Sequence, residues 1–255
     1  MHKILNKEIF TVNKEILMDI LIIGYGKMGR AVEQVAQLRG HNIAGIIDVN
    51  DSFESIDGRK IDVAIEFTQP DSAVRNIEEC FKRHIPVVVG TTGWYSCLEE
   101  VKDKAYKNDC TLFYSSNFSI GVYLFSKMNI WLSELMNKQR NYMPSVTEIH
   151  HIHKKDSPSG TAVTLAENLL AHNDVCSSWG KDICGNTDIM PVNSVRKGEE
   201  FGTHIISYES DNDIIEIKHT AKSRQGLAEG CVCAAEYLYG KKGVFCMDDM
   251  MKDLL

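Results

Sequence analysis

The 255-residue chain has no uninterrupted apolar run of about 18 residues, so no membrane-spanning helix is expected. Positive charge is also short. Its 28 Lys and Arg residues face 35 Asp and Glu, giving a formal net charge of −7 and a pI near 5.7. That balance leaves no basic footprint for nucleic acid, and an anionic substrate needs local positive charge set against the overall field. The eight cysteines are scattered without a C-x-x-C pair, and residues 1–17 alternate charges with single apolar residues instead of forming a continuous apolar core. These absences exclude a disulfide framework and a secretory signal, and point to free thiols in a cytoplasmic protein. Residues 1–17 read as an extension ahead of the first strand. What is present is ordinary for a globular protein: 44% hydrophobic and 25% charged residues, enough to bury a sizeable core in one or two domains.

From Asp19 onward, short apolar runs alternate with amphipathic stretches. The runs 20–23, 43–47, 63–67, 87–89 and 111–114 are rich in β-branched and aromatic residues and lack polar alternation. They read as strands of a parallel sheet covered on both faces. Between them, Ala73, Val74, Ile77, Cys80 and Phe81 form one helical stripe after the start signal Pro70-Asp71-Ser72. Strand–helix–strand repetition predicts an α/β, Rossmann-like dinucleotide-binding domain over 18–118. The rhythm then changes to a helix over 120–137, a strand over 145–152 and a helix over 161–170. Strand-like runs at 192–196, 204–208 and 214–219 follow, the last two joined by Glu209-Ser210-Asp211-Asn212-Asp213 as a hairpin turn. This predicts a smaller α+β domain with a mixed sheet over 119–224. A final helix near 227–239 packs back on the first domain, which residues 225–255 complete.

Gly24-Tyr25-Gly26-Lys27-Met28-Gly29 follows the first strand and opens a helix, and Asp48 ends the second strand. Glycines there permit a tight turn and close approach to a pyrophosphate, which the helix N-terminus attracts. Asp48 is placed to accept hydrogen bonds from ribose hydroxyls and to repel a 2′-phosphate, with Lys27 as a compensating charge. NADH is therefore expected to serve at least as well as NADPH. Gly90-Thr91-Thr92-Gly93 and Ser115-Ser116-Asn117-Phe118 follow the fourth and fifth strands, where ligands of open α/β sheets bind. The bland readings are a glycine-rich turn without ligand and ordinary turn residues.

The least ordinary stretch is Glu148-Ile149-His150-His151-Ile152-His153-Lys154-Lys155-Asp156-Ser157-Pro158-Ser159-Gly160-Thr161-Ala162. Three histidines and two lysines fall in six residues of an acidic protein, a cationic spot suited to a small polycarboxylate and to proton transfer near neutral pH. The Ser-Pro-Ser-Gly-Thr run supplies an N-cap and amides for a carboxylate. A metal site lacks partner residues at ligand spacing, so no metal is expected. A solvated face and histidines satisfied within a strand are the other readings. Regular alternation would put His151 and His153 on one side and His150 on the other.

This stretch resembles the E-x-H-H-x-x-K-x-D-x-P-S-G-T-A signature of the 4-hydroxy-tetrahydrodipicolinate reductase (dihydrodipicolinate reductase) family of bacterial lysine and diaminopimelate synthesis. Glu66-Phe67-Thr68, Gly90–Gly93, Ser115–Val122 and His219–Arg224 support it, and the similarity runs from Met18 to the C-terminus. The resemblance implies NADH or NADPH as cofactor, a small dicarboxylate substrate and a homotetramer. It implies proton transfer by His150 and Lys154, and substrate binding by His151, Gly160 and Thr161. It further implies cofactor contacts from Gly24 to Gly29, Asp48, Gly90, Thr91, Thr92, Ser115, Ser116, Asn117 and Phe118. Water is lost from the substrate, and hydride reaches the ring carbon that carried the hydroxyl; closure of the two domains on ligand is expected. The chain departs from the family in a phosphate loop one residue shorter, Lys27 where arginine is common, Val49 in place of a cation, and Glu66 and Ser116 for aspartate and alanine. These departures bear on cofactor choice. Other readings are a two-domain nicotinamide dehydrogenase of another small acid and a non-catalytic dinucleotide sensor.

Overall fold

Valine- and isoleucine-rich runs too apolar to face water on either side form the strands of one parallel sheet. They are β1 (Asp19–Ile23), β2 (Asn42–Ile47), β3 (Val63–Glu66), β4 (Val87–Val89) and β5 (Thr111–Tyr114). A strand near the C-terminus, β11 (Gly243–Phe245), extends the sheet beside β5, giving the order β11-β5-β4-β3-β1-β2. The structure is a computed structural model that describes residues 16–56, 58–181, 183 and 188–255. Most of the expected leading extension (residues 1–15) and Cys184 lie outside the described residues. No two described cysteines form a disulfide.

Connections between these strands run through α1 (Lys27–Leu38), α2 (Pro70–Lys82) and α3 (Leu98–Lys107), with α6 (Gln225–Tyr237) packed on α1 and α7 (Met247–Leu254) beyond it. Winding reverses between β1 and β3, because β2 lies on the other side of β1. That switch point opens a crevice at the carboxyl ends of the strands. The strands β1, β3, β4 and β5 all end there. The chain divides into two compact units, one reaching to Ser119 and including Gln225–Leu255, the other Ile120–Arg224.

The second unit holds α4 (Ile120–Met136), β6 (Met143–His150), α5 (Gly160–His172), β7 (Ser178–Lys181), β8 (Ile189–Arg196), β9 (Thr203–Glu209) and β10 (Ile214–Thr220). Its sheet, ordered β10-β9-β6-β8-β7, is mixed: β10, β9 and β6 pair antiparallel, whereas β6, β8 and β7 pair parallel. Burial along β6 alternates strictly, with Val146, Glu148 and His150 on the covered face. Strand β6 stops at His150, two residues before the expected end, so the alternation that was to place His151 and His153 does not reach them. The elements β7, β11, α3 and α7 were not anticipated. The two strands are only four and three residues long, and α3 buries just Val101 and Ala105 among charges.

Helix α6 approaches the end of β5 unusually closely. A Cβ on Gly230 would sit 1.8 Å from the Phe118 carbonyl oxygen. Alanine ordinarily gains about 1 kcal/mol over glycine inside a helix. Here the clash is with backbone and reverses the sign: Gly230→Ala is expected to lower stability by about 3 kcal/mol, read from urea unfolding.

Candidate active site

In the first unit, four loops leave the carboxyl ends of β1, β3, β4 and β5. Gly24 holds φ +89, and a Cβ there would lie 2.1 Å from the Phe67 carbonyl oxygen; one on Gly29 would lie 2.1 Å from that of Gly24. Only hydrogen fits at either position. Over Gly26, by contrast, nothing lies within 4 Å of where a Cβ would be. Gly26 is the N-cap of α1 and has no side chain to cap it, and the amides of Lys27, Met28 and Gly29 have no partner among the described residues. Open space above unpaired helix N-terminal amides is what a dinucleotide pyrophosphate requires, so the residues present fit that group.

Asp48 is exposed directly after β2, and its amide donates to Asp51 Oδ2 at 2.9 Å. Tyr25 turns its hydroxyl to Glu33, under the Arg30 guanidinium 4.7 Å from its ring. The neighbouring loops are tied together: Thr91 Oγ1 accepts from the Thr68 amide at 2.7 Å, and Gly90 lies against the Phe67 ring. Buried Glu66 accepts from Thr68 Oγ1 and from Asn76 Nδ2; its burial raises its pKa despite these donors, and Oε2 has no partner. Thr92 and Ser116 are exposed, while Ser115 and Asn117 bond one another in a tight turn. The Phe118 side chain lies in the core against Phe67 and Phe113.

The second site belongs to the other unit and grows from the register of its sheet. On the covered face, Ile217, Ile206, Val146 and Val192 are cross-strand neighbours and make an apolar row of the core. One step along the strands, the next row on that face is His219, His204, Glu148 and Ser194. The following pair is His150 and Arg196. The face therefore turns from apolar to polar toward the C-terminal end of β6, at the N-terminus of α5.

Glu148 is fully buried. The Ser159 amide donates to both its oxygens at 3.1 Å, Ser194 Oγ at 2.8 Å and Arg196 Nη2 at 3.2 Å. His150 Nε2 lies 3.4 Å from Oε2, an ion-pair distance without hydrogen-bond geometry. Burial works against the charge, but His150, Ser159 and Ser194 outweigh it and hold the carboxyl far below the usual range. His204 faces His150 edge-on at 5.3 Å; burial, and then His150, push its pKa down to about 4. Glu148, His150 and His204 offer ligand atoms within 4.8 Å of one another. The carboxylate, however, is already filled by neutral donors and a guanidinium, which a metal cation would have to displace.

After β6 the chain is clasped to the β8–β9 loop: His151 N donates to Glu200 O and Lys197 N to His150 O. His151 is half-buried and His153 exposed. Lys154 Nζ lies 2.8 Å from Asp156 Oδ2; burial opposes that carboxylate, but the ammonium holds it below its usual range. Ser159 caps α5, accepting from the Ala162 amide at 3.2 Å. Beside it Gly160 is exposed, with open space where a Cβ would be and an amide without a partner among the described residues. The structure thus gathers His150, His151, Lys154, Gly160 and Thr161 around one loop and helix start. The dinucleotide set gathers separately in the first unit. Sequence reading missed Glu148, Ser194, Arg196 and His204 as parts of this cluster. A period-two reading from His150 would have found Glu148, whereas the others needed the strand register.

Family models of the N-terminal and C-terminal parts of dihydrodipicolinate reductase match residues 18–118 and 121–251. The chain belongs to the dihydrodipicolinate reductase family. A 4-hydroxy-tetrahydrodipicolinate reductase of Christiangramia forsetii is 44% identical over 237 residues, 93% of this chain and 99% of its own. The one from Staphylococcus saprophyticus is 32% identical, covering 91% of this chain and all of its own length (100%). A solved dipicolinate-bound dihydrodipicolinate reductase from a Paenisporosarcina species shares the fold, with TM-score 0.72 at 21% identity over 91% of this chain and 98% of that one. The α/β, Rossmann-like architecture with a second mixed sheet is that of the reductase family.

The buried His204 makes stability depend on pH. Its pKa falls from 6.5 to about 4 on folding, so between those values the unfolded chain takes up the proton and the folded chain does not. Stability is fully present above the higher value and is lost as pH drops, by about 1.4 kcal/mol per unit. Thermal unfolding of His204→Asn followed over the same window is expected to show a shallower dependence than the parent chain.

Proposed function

We propose that this chain reduces 4-hydroxy-tetrahydrodipicolinate to tetrahydrodipicolinate with a reduced nicotinamide dinucleotide, a step of lysine and diaminopimelate synthesis. The observation that carries the reading is family membership across both units, with 44% identity over 93% of the chain to a relative of that name. The site chemistry agrees with it. Reduced nicotinamide, when bound, supplies the hydride. The amides of Lys27, Met28 and Gly29 hold the pyrophosphate, Asp48 takes the adenosine ribose, and the Gly90–Thr92 and Ser115–Phe118 loops complete the cofactor contacts.

His150 and Lys154 act as the proton-transferring pair. Lys154 exchanges its Asp156 carboxylate for a carboxylate of the substrate, a swap between like partners that leaves the ammonium paired throughout. His151, the Gly160 amide and Thr161 bind the substrate, with the α5 N-terminus facing its negative charge. The enzyme works in the cytoplasm as a homotetramer. That state is supported by β10, an edge strand whose Ile214 and Ile215 are exposed. No described helix is long and apolar enough to cross a membrane.

NADH oxidation coupled to freshly made 4-hydroxy-tetrahydrodipicolinate tests the reaction; no consumption beyond a substrate-free control would refute it. Lys154→Ala and His150→Gln are expected to lower kcat by about 10²- to 10⁴-fold with far smaller effects on folding. Near-parental turnover in both would remove them from the mechanism. Exposed Asp48, with Val49 beside it and Asp51 bonded to its amide, leaves a 2′-phosphate facing acid. The kcat/KM for NADH is therefore expected to equal or exceed that for NADPH, and a strong preference for NADPH would overturn this assignment.

A further inference from the structure

We propose that Glu148 is a positioning residue of this site, its buried carboxylate holding the His150 imidazole and the N-terminus of α5 in one fixed arrangement. The inference rests on the reading above that His150 moves a proton and that the start of α5 receives a substrate carboxylate.

Glu148 touches both halves of that machinery. One oxygen faces His150 Nε2 at 3.4 Å, and both accept from the Ser159 amide at 3.1 Å, the residue that caps α5. It stands two residues before His150 on β6, so the pleat puts both side chains on one face. Ser194 and Arg196 on β8 grip the same oxygen, Oε1, and Arg196 also donates to the Asp156 carbonyl at 2.6 Å, tying the Lys154 loop to the same point. Gly202 also crowds the imidazole, where a Cβ would lie 2.8 Å from His150 Cε1. The imidazole is therefore crowded by both a fixed anion and the Gly202 backbone.

The charges facing the pair define what the carboxylate does to it. From β8 comes the Arg196 guanidinium, from the loop Lys154 paired to Asp156, from β9 the imidazole of His204, and beyond it on β10 that of His219. Burial holds both His204 and His219 toward their neutral forms. Glu148 is the one anion in contact with His150 among the described residues, and His204 faces its ring. Such an anion offsets the positive charge that His150 carries whenever it holds the proton it gives to the substrate. Glu148 stays ionised throughout. The proton leaves His150 for the substrate and is replaced from solvent, and the carboxylate itself takes none.

Glu148→Gln keeps the size but removes the charge and replaces one acceptor oxygen with an NH2 donor. In the full-length enzyme, kcat is expected to fall roughly tenfold or more. The alkaline limb of its pH profile moves to lower pH as that charge is removed. Binding of dipicolinate, used as a non-reacting dicarboxylate, weakens as the α5 terminus loses its tether. Glu148→Asp keeps the charge but withdraws it by one methylene, so its alkaline limb returns toward the parent while kcat stays low. A folded glutamine variant with parental kcat and an unmoved profile would overturn the proposal. So would a loss of kcat with no shift in profile, because that marks a scaffold role alone. If the glutamine variant does not fold, the aspartate variant decides: lowered kcat with weakened dipicolinate binding supports the proposal, and parental values overturn it. An inactive parent enzyme would instead refute the reductase reading, and this inference with it.

Discussion

A carboxylate removed from water has to be met by donors on every side, and in the second unit that requirement falls on Glu148. Its partners come from β6, from the cap of α5 eleven residues on, and from the more distant β8. An unmet buried charge is costly, so satisfying it sets the register of β6 against β8 and the point at which α5 begins. The loop bearing Lys154 is fastened through Arg196 to the same oxygen. A flexible run of histidine and lysine becomes a shaped cationic surface because its two ends, His150 and Ser159, are both tied to one anion.

The first unit solves the complementary problem by leaving donors unmet. At the start of α1 the cap is a glycine with open space where its Cβ would be, and three amides have no partner among the described residues. Backbone crowding enforces this emptiness: Gly24 and Gly29 are pressed so closely on Phe67 and on one another that no larger residue fits. The unit is otherwise a tightly filled parallel sheet whose central strands β1, β3, β4 and β5 are nearly all buried. Hydrogen-bonding capacity left over at this helix start is what an anion can collect.

Much of this could be read from the chain. The strands β1 to β5 announced themselves because strands buried on both faces carry an unbroken apolar signal, and the glycine loop sits between such a strand and an amphipathic helix. The His150–Thr161 stretch was legible as chemistry through its density of histidine, lysine and capping residues. Less legible were β7 and β11, only four and three residues long, where pairing rather than composition makes the strand. His204 carried no mark of its own. It joins the site only because β9 runs antiparallel to β6 with His204 opposite Glu148. Nor was it legible that the Phe118 ring is core and that α6 rests on its carbonyl, a contact between residues more than a hundred positions apart.

Local pattern alone therefore determined the class of fold, the phosphate-type turn and the cationic segment, since each depends on residues within one strand, turn or helix start. Tertiary structure decided which buried groups answer one another: the polar row of His219, His204, Glu148 and Ser194, and the tether from Glu148 to Ser159. The reason is register. A one-residue slip of a strand would turn these side chains to the opposite face, and only the packed sheet, balancing an apolar row against a buried anion, selects among the possible alignments.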